Sequence, residues 1–314
     1  MKADSILMHK EKNIVAVRAA NGDATVIQVF DMEGSKKITQ VQIADSTVFW
    51  KWIGLNKLAV VGKNSVWHID ASQQSEPVKM FDRAPQMATC QIMNYDMDAA
   101  GQWCFVVGLY SPDNKNIQSQ MQLYNIERKQ AQILEGYAGC FMDLPLTVGN
   151  SSYKNSLFAF CEKKANESVH RLHIMEIGNP APGAQKFKIN AEITMAPDAI
   201  GDFPVLMQVA PKYGVVFVIT KLGYLFMYET SKAALIYRQR ITDQLIFVAV
   251  RNMSTDGMIC VNKAGQVFAI NVEDQNLVKF VMAAQHIPDA KNLAITMASR
   301  YGLAGADDIF ISQF

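Results

Sequence analysis

The sequence contains no apolar run near the ~20 residues that cross a bilayer, and its start, MKADSILMHKEK, has no long apolar stretch to serve as a secretory signal. A serine nucleophile elbow (GxSxG), a glycine-rich phosphate loop ending in Gly-Lys-Ser/Thr, HExxH and a GxGxxG after a strand are all missing. These absences set the expectation of a protein that is not an enzyme and uses no cofactor or metal. Charge of one sign is lacking too: 30 basic residues against 29 acidic ones leave +1, so no global field draws nucleic acid or an anionic membrane. Cysteines are few and odd in number (Cys90, Cys104, Cys140, Cys161, Cys260), and most sit in apolar segments such as WCFVVG. They read as reduced core thiols of a cytoplasmic protein, with neither a disulfide frame nor a CxxC metal site.

What is present is a repeat. Gly214 to Glu229, GVVFVITKLGYLFMYE, is echoed in Gly257 to Val272, GMICVNKAGQVFAINV, with the central Lys-x-Gly 42 residues later. Each copy is an apolar run, a tight turn and a second run, the pattern of two antiparallel strands. Allowing the turn to vary, the unit recurs six times. The other four are Ile14–Ala19 with Thr25–Asp31, Leu58–Gly62 with Val66–Asp70, Trp103–Leu109 with Gln120–Ile126, and Leu157–Glu162 with Val169–Ile177. Weaker strands fall between them, at Val48–Ile53, Val78–Phe81, Thr89–Asn94, Pro204–Ala210, Ala234–Arg238 and Leu245–Val250. Four strands per unit at this period predict an all-β propeller, with Ser111–Ser119 and Lys163–Ser168 as long loops. Gly-His and Trp-Asp pairs in register are missing, so the blades are not of WD40 type.

After Val281 the texture changes. Pro288-Asp289 opens AKNLAITMASRYG, whose Leu293, Thr296, Met297 and Arg300 sit three and four apart, and Gly302 can close the helix. A second short helix is expected over Ala306–Ser312, and the end at Phe314 reads as a cut. The expected division is a propeller over 1–283 and a helical linker over 284–314.

Several residues invite a chemical reading. His170 and His173 lie three apart in a strand, so they point to opposite faces and are a poor metal pair. Phe49-Trp50-Lys51-Trp52 could stack on bases, but large aromatics more commonly fill the space between blades. Asp82-Arg83 reads as a blade-edge salt bridge. Periodicity favours a core position for Trp103. If blades pack side by side, Trp103, Leu123, Arg128 and Gln132 instead line a cleft whose apolar floor and polar groups suit a peptide.

FWKW (49–52), PVKMFDR (77–83), CQIMNY (90–95), MQLY (121–124), DFPV (202–205), VVFVITKLGY (215–224) and GLAGADDIF (302–310), in order through nearly the whole chain, resemble the N-terminal domain of the clathrin heavy chain family. The resemblance implies a seven-bladed propeller followed by the start of a helical zigzag. By the same resemblance the first blade would be largely missing here and about six present. It also implies that adaptor proteins and arrestin-like proteins dock short linear motifs in grooves between blades, at the cytoplasmic face of coated pits and vesicles. Clathrin light chain and other heavy chains would contact only the absent leg. Neither nucleic acid binding nor direct membrane insertion is implied.

By this resemblance the clathrin-box groove takes Val15, Gln28, Phe30 and Lys37. A second family lysine falls on Ser35, beside Lys36, and a polar floor residue becomes Val26. The arrestin-type groove takes Trp103, Leu123, Arg128 and Gln132. A W-box-like site takes Gln91, Met93 and Leu109, its phenylalanine belonging to the missing blade. Competing readings are a propeller enzyme with polar residues converging on the hub, and a propeller scaffold of another trafficking complex.

Overall fold

Residues 2–113, 115–148, 151–163, 169–199 and 201–305 are described by a computed structural model, and the helix expected over 306–312 lies outside them. The strands group in sequence order into antiparallel sheets, each an up-and-down meander. Sheet one holds β1 (Ser5–Met8), β2 (Ile14–Asn21), β3 (Ala24–Asp31) and β4 (Lys36–Ile43). Sheet two holds β5 (Thr47–Trp52), β6 (Lys57–Gly62), β7 (Ser65–Asp70) and β8 (Val78–Asp82), and sheet three β9 (Gln91–Met97), β10 (Trp103–Tyr110), β11 (Gln118–Asn125) and β12 (Gln130–Leu134). Sheet four holds β13 (Gly136–Val148), β14 (Ser151–Glu162), β15 (His170–Glu176) and β16 (Lys188–Ile193). Sheet five holds β17 (Pro204–Ala210), β18 (Val215–Thr220), β19 (Tyr224–Glu229) and β20 (Leu235–Arg240). Sheet six has three described strands, β21 (Ile246–Asn252), β22 (Gly257–Asn262) and β23 (Val267–Ile270). Two helices follow, α1 (Asp274–Ala283) and α2 (Ala290–Tyr301).

This succession of meander sheets ending in a short helical segment is an all-β fold of the propeller class. All six hairpins read from the sequence are present, five as central strand pairs and the sixth as β22–β23. Both Lys-x-Gly turns reverse the chain through glycines with positive φ, +88° at Gly223 and +80° at Gly265, where a β-carbon would be strained. Helix α2 ends at Gly302, which adopts the left-handed conformation as its C-cap. All of helix α1 lies ahead of residue 284, inside the stretch expected to be propeller.

The chain divides into two compact units, Met1–Gly136 and Tyr137–Phe314. In the first, Ala16, Ile27, Val29, Val41 and Ile43 of sheet one pack on Trp50, Trp52, Leu58, Val60 and Ile69 of sheet two. The opposite face of sheet two, with Ala59, Val61, Val66 and Phe81, packs on Ile92, Tyr95, Cys104 and Val106 of sheet three. Sheet two is therefore covered on both faces, which is why β6 reads as the unbroken apolar run LAVVG rather than alternating. In the second unit β18 and β19 are buried at every position for the same reason, and Leu277, Val281, Leu293 and Met297 of the helices join a core with Phe217, Ile219, Met258 and Cys260.

A recurring aspartate holds the hairpins. Asp45, buried just before β5, accepts hydrogen bonds from the backbone N–H groups of Asn64 (3.0 Å) and Ser65 (2.9 Å) in the β6–β7 turn. Asp202, two residues before β17, accepts one from Leu222 (3.0 Å) in the β18–β19 turn. A buried carboxylate fed by backbone donors ties the first strand of a sheet to its central turn.

Several candidate chemistries resolve into architecture. Trp50 and Trp52 are buried, Trp50 Nε1 donating to Ser5 Oγ at 3.0 Å, so the two tryptophans fill the space between sheets one and two, while Phe49 packs on the other face of sheet two toward sheet three. Lys51 reaches Asn94 Oδ1 at 3.3 Å and Asp96 at 3.8 Å. His170 is buried while His173 pairs with Glu162 at 2.9 Å on the other face of β15. The Asp82-Arg83 reading needs correction. Asp82 pairs with Lys79 at 2.7 Å, while Arg83 is buried and donates to the carbonyls of Gly62 (3.0 Å), Lys63 (2.9 Å) and Met87. Its fork of donors matches converging carbonyls better than a single edge carboxylate. All five cysteines are buried and free.

Candidate peptide-binding faces

One face of sheet one gathers the first group of candidates. Val15 stands opposite Phe30 across β2 and β3, and Phe30 opposite Lys37 across β3 and β4, so the three form one row. Gln28 lies two residues from Phe30, opposite Val17 on β2 and Gln40 on β4. This is the reverse of the face packed on sheet two, and Val15, Val17, Gln28 and Phe30 are all only partly buried. Strand β1 extends it with Ile6 opposite Val17 and Met8 opposite Val15, 60% and 71% exposed.

Lys37 reaches this face because of a bulge. The β3–β4 register shifts between Val29 and Phe30, where Thr39 faces Val29 but Lys37 faces Phe30. In a regular strand Lys37 and Gln40, three apart, would point to opposite sides. The extra residue, Ile38, turns toward the core and returns Lys37 to the side of Phe30. Lys37 Nζ donates to Gln40 Oε1 at 2.8 Å, and Gln28 Nε2 donates to the same oxygen at 2.8 Å. An apolar floor from Val15, Val17 and Phe30 is thus flanked by an amide–amide–ammonium string. Sequence reasoning did not find Gln40. The signal available was the alternation of KITQVQI, which the bulge interrupts.

The two departures from the family pattern also have positions. Val26 is buried opposite Ala19, extending the apolar floor of the same face. Lys36 stands opposite Asp31, one residue out of phase with Lys37.

Sheet three carries the other two sets, with Trp103, Leu123, Gln132, Gln91 and Leu109 on the face opposite its contact with sheet two. Trp103 pairs with Asn125, Phe105 with Leu123, and Leu123 with Gln132. Leu123 is buried, Trp103 half-buried and Gln132 exposed, so Leu123 is floor and Gln132 rim. Arg128 is exposed in the β11–β12 turn, its backbone N–H donating to Asn125 Oδ1 at 2.7 Å. The structure therefore brings Trp103, Leu123 and Gln132 into one patch with Arg128 at its end. Gln91 stands opposite Leu109, with Met93 exposed at the bulge beside Gly108. Trp103 and Leu109 share a face six residues apart on β10, so the two sets sit about 20 Å from each other.

Among the described residues no group of three His, Cys, Asp or Glu could hold a metal ion, and no helix is long and apolar enough to cross a membrane. No family model matches the chain. The chain is 36% identical over 315 residues to a probable clathrin heavy chain 1 of Caenorhabditis elegans, an alignment covering all of this chain and 18% of the relative. It is homologous to the N-terminal part of clathrin heavy chains. The clathrin heavy chain of Drosophila melanogaster matches equally, at 36% identity over the whole chain and 18% of the fly protein. The chain thus spans about a fifth of the length of the clathrin heavy chains it matches. A chain of the mitotic checkpoint complex superposes with a TM-score of 0.56 at 12% identity, over 87% of this chain and 75% of that one, a likeness of fold alone.

Proposed function

We propose that this chain is a non-enzymatic recognition segment of a clathrin-type coat, which holds short, leucine-bearing, acidic segments of adaptor and arrestin-like proteins on its sheet faces. It would act at the cytoplasmic side of coated pits and vesicles during endocytosis and intracellular transport, with assembly left to the rest of the heavy chain. The observation that carries this reading is the row Val15, Phe30 and Lys37 with Gln28 beside it: a partly buried apolar floor ending in a cation suits a leucine followed by a carboxylate. Trp103, Leu123, Arg128 and Gln132 offer the same combination on sheet three, and Gln91, Met93 and Leu109 a third, less charged patch. Disordered partners lose conformational freedom on docking, so single contacts are weak and strength comes from many copies in a lattice.

Photo-crosslinking tests the reading. A peptide with two leucines and flanking aspartates, one leucine replaced by benzoylphenylalanine, is expected to label residues of β1 to β4 or β9 to β12. Labelling spread evenly over both units would refute it.

A further inference from the structure

Resting on the reading of sheet one as a peptide face, we propose that Gln40, held by Gln74, is a positioning residue that sets where the charge of Lys37 stands and so determines preference for acidic peptides. β4 is the outer strand of sheet one, paired only with β3. The backbone groups of Gln40 turn away from β3. Its N–H donates to Gln74 Oε1 at 3.1 Å, and its C=O accepts from Gln74 Nε2 at 2.9 Å. Gln74 lies in the loop between β7 and β8 of sheet two, so its carboxamide supplies one rung of a missing strand to an exposed edge.

That rung has a consequence on the peptide face. Because the Gln40 backbone bonds outward, Gln28 and Gln40 form a non-hydrogen-bonded pair, the type in which opposed side chains stand closest. The closeness lets Gln28 Nε2 reach Gln40 Oε1, and the second lone pair of that oxygen takes Lys37 Nζ. Lysine is a flexible point charge with several rotatable bonds. Tethered to Gln40, its ammonium stays beside Phe30 and keeps further donors for an incoming carboxylate. A glutamate at position 40 would pair with the ammonium and cancel its charge.

The test uses the 314-residue chain and two fluorescent peptides, one with two leucines followed by aspartates and one with asparagines in their place. Gln40→Glu is expected to weaken the acidic peptide about fivefold to tenfold, to flatten the salt dependence of its binding, and to leave the neutral peptide unchanged. Gln74→Ala should weaken the acidic peptide about twofold to threefold, and Gln74→Asn should restore none of this, its amide being one methylene short. A merely structural role would lower both peptides together. If Lys37→Ala weakens the acidic peptide while Gln40→Glu and Gln74→Ala bind it like the unaltered chain, the positioning role is wrong and the peptide face stands. If Lys37→Ala also binds like the unaltered chain, the peptide face is wrong and the positioning role falls with it.

Discussion

The ring of Tyr301, in the last turn of α2, lies directly on Gly214 at the start of β18: a β-carbon on that glycine would come within 2.0 Å of Tyr301 Cζ. Thr230 joins them. Its N–H and Oγ1 both donate to the Gly214 carbonyl, at 3.0 and 3.1 Å, and the Tyr301 hydroxyl lies 3.2 Å from that Oγ1. The helical segment is thereby keyed onto sheet five at a position only glycine can occupy, since its φ is also +62°.

Gly214→Ala should destabilise the second unit by roughly 1–2 kcal/mol for the left-handed backbone and by about 1 kcal/mol more as Tyr301 is displaced. The melting temperature is expected to fall by on the order of 5 °C. Tyr301→Phe, which keeps the ring and loses only the hydroxyl, should cost about 1 kcal/mol. Equal melting of Gly214→Ala and the unaltered chain would contradict this docking.

Asp45→Ala leaves the N–H groups of Asn64 and Ser65 in the β6–β7 turn without their buried acceptor. A charge-assisted pair of this kind is worth about 1.5–3 kcal/mol. Urea unfolding should show a loss in that range, with Asp45→Asn intermediate because its amide oxygen still accepts. A loss below about 0.5 kcal/mol, the size typical of surface substitutions, would remove Asp45 from its structural role.

Stability should fall in mild acid. His68 is buried with Nε2 2.7 Å from the Tyr95 hydroxyl, and burial, helped by the charge of Lys57, lowers its pKa to about 4. His170 is lowered to about 4 by burial and then by Lys163. Unfolded, each takes a proton near pH 6.5, so between about pH 6.5 and 4 the unfolded chain binds more protons and stability drops as pH falls. Each histidine accounts for roughly 1–2 kcal/mol at pH 5. Asp202, its carboxyl raised by burial, opposes this at the acid end. The urea midpoint should decrease from pH 7 to pH 5, less steeply in His68→Gln. A midpoint that rises over that interval would show that the histidines are not buried neutral.

The hairpins of sheets two and five were the most legible in the sequence because both of their faces are buried. Runs such as LAVVG and VVFVIT have no solvent side to interrupt them. Strands β1, β4, β12 and β16 carried no comparable signal. They lie at sheet margins, where exposed positions dilute the pattern, as in the alternation of Lys188–Ile193. The row Val15, Phe30 and Lys37 came from family resemblance rather than from periodicity, since the bulge at Ile38 puts Lys37 out of phase with its own strand. Gln40 and Gln74 were invisible for a related reason: their partnership joins residues 34 apart through an edge that no local pattern marks.

The central claim, that an apolar row ending in Lys37 receives an acidic leucine peptide, is tested most directly by a charge exchange. Calorimetric titration of a peptide with two leucines and trailing aspartates should show saturable binding that Lys37→Glu weakens about tenfold. The same peptide with lysines in place of aspartates should bind Lys37→Glu better than it binds the unaltered chain. Identical affinities of both peptides for both proteins would contradict the account.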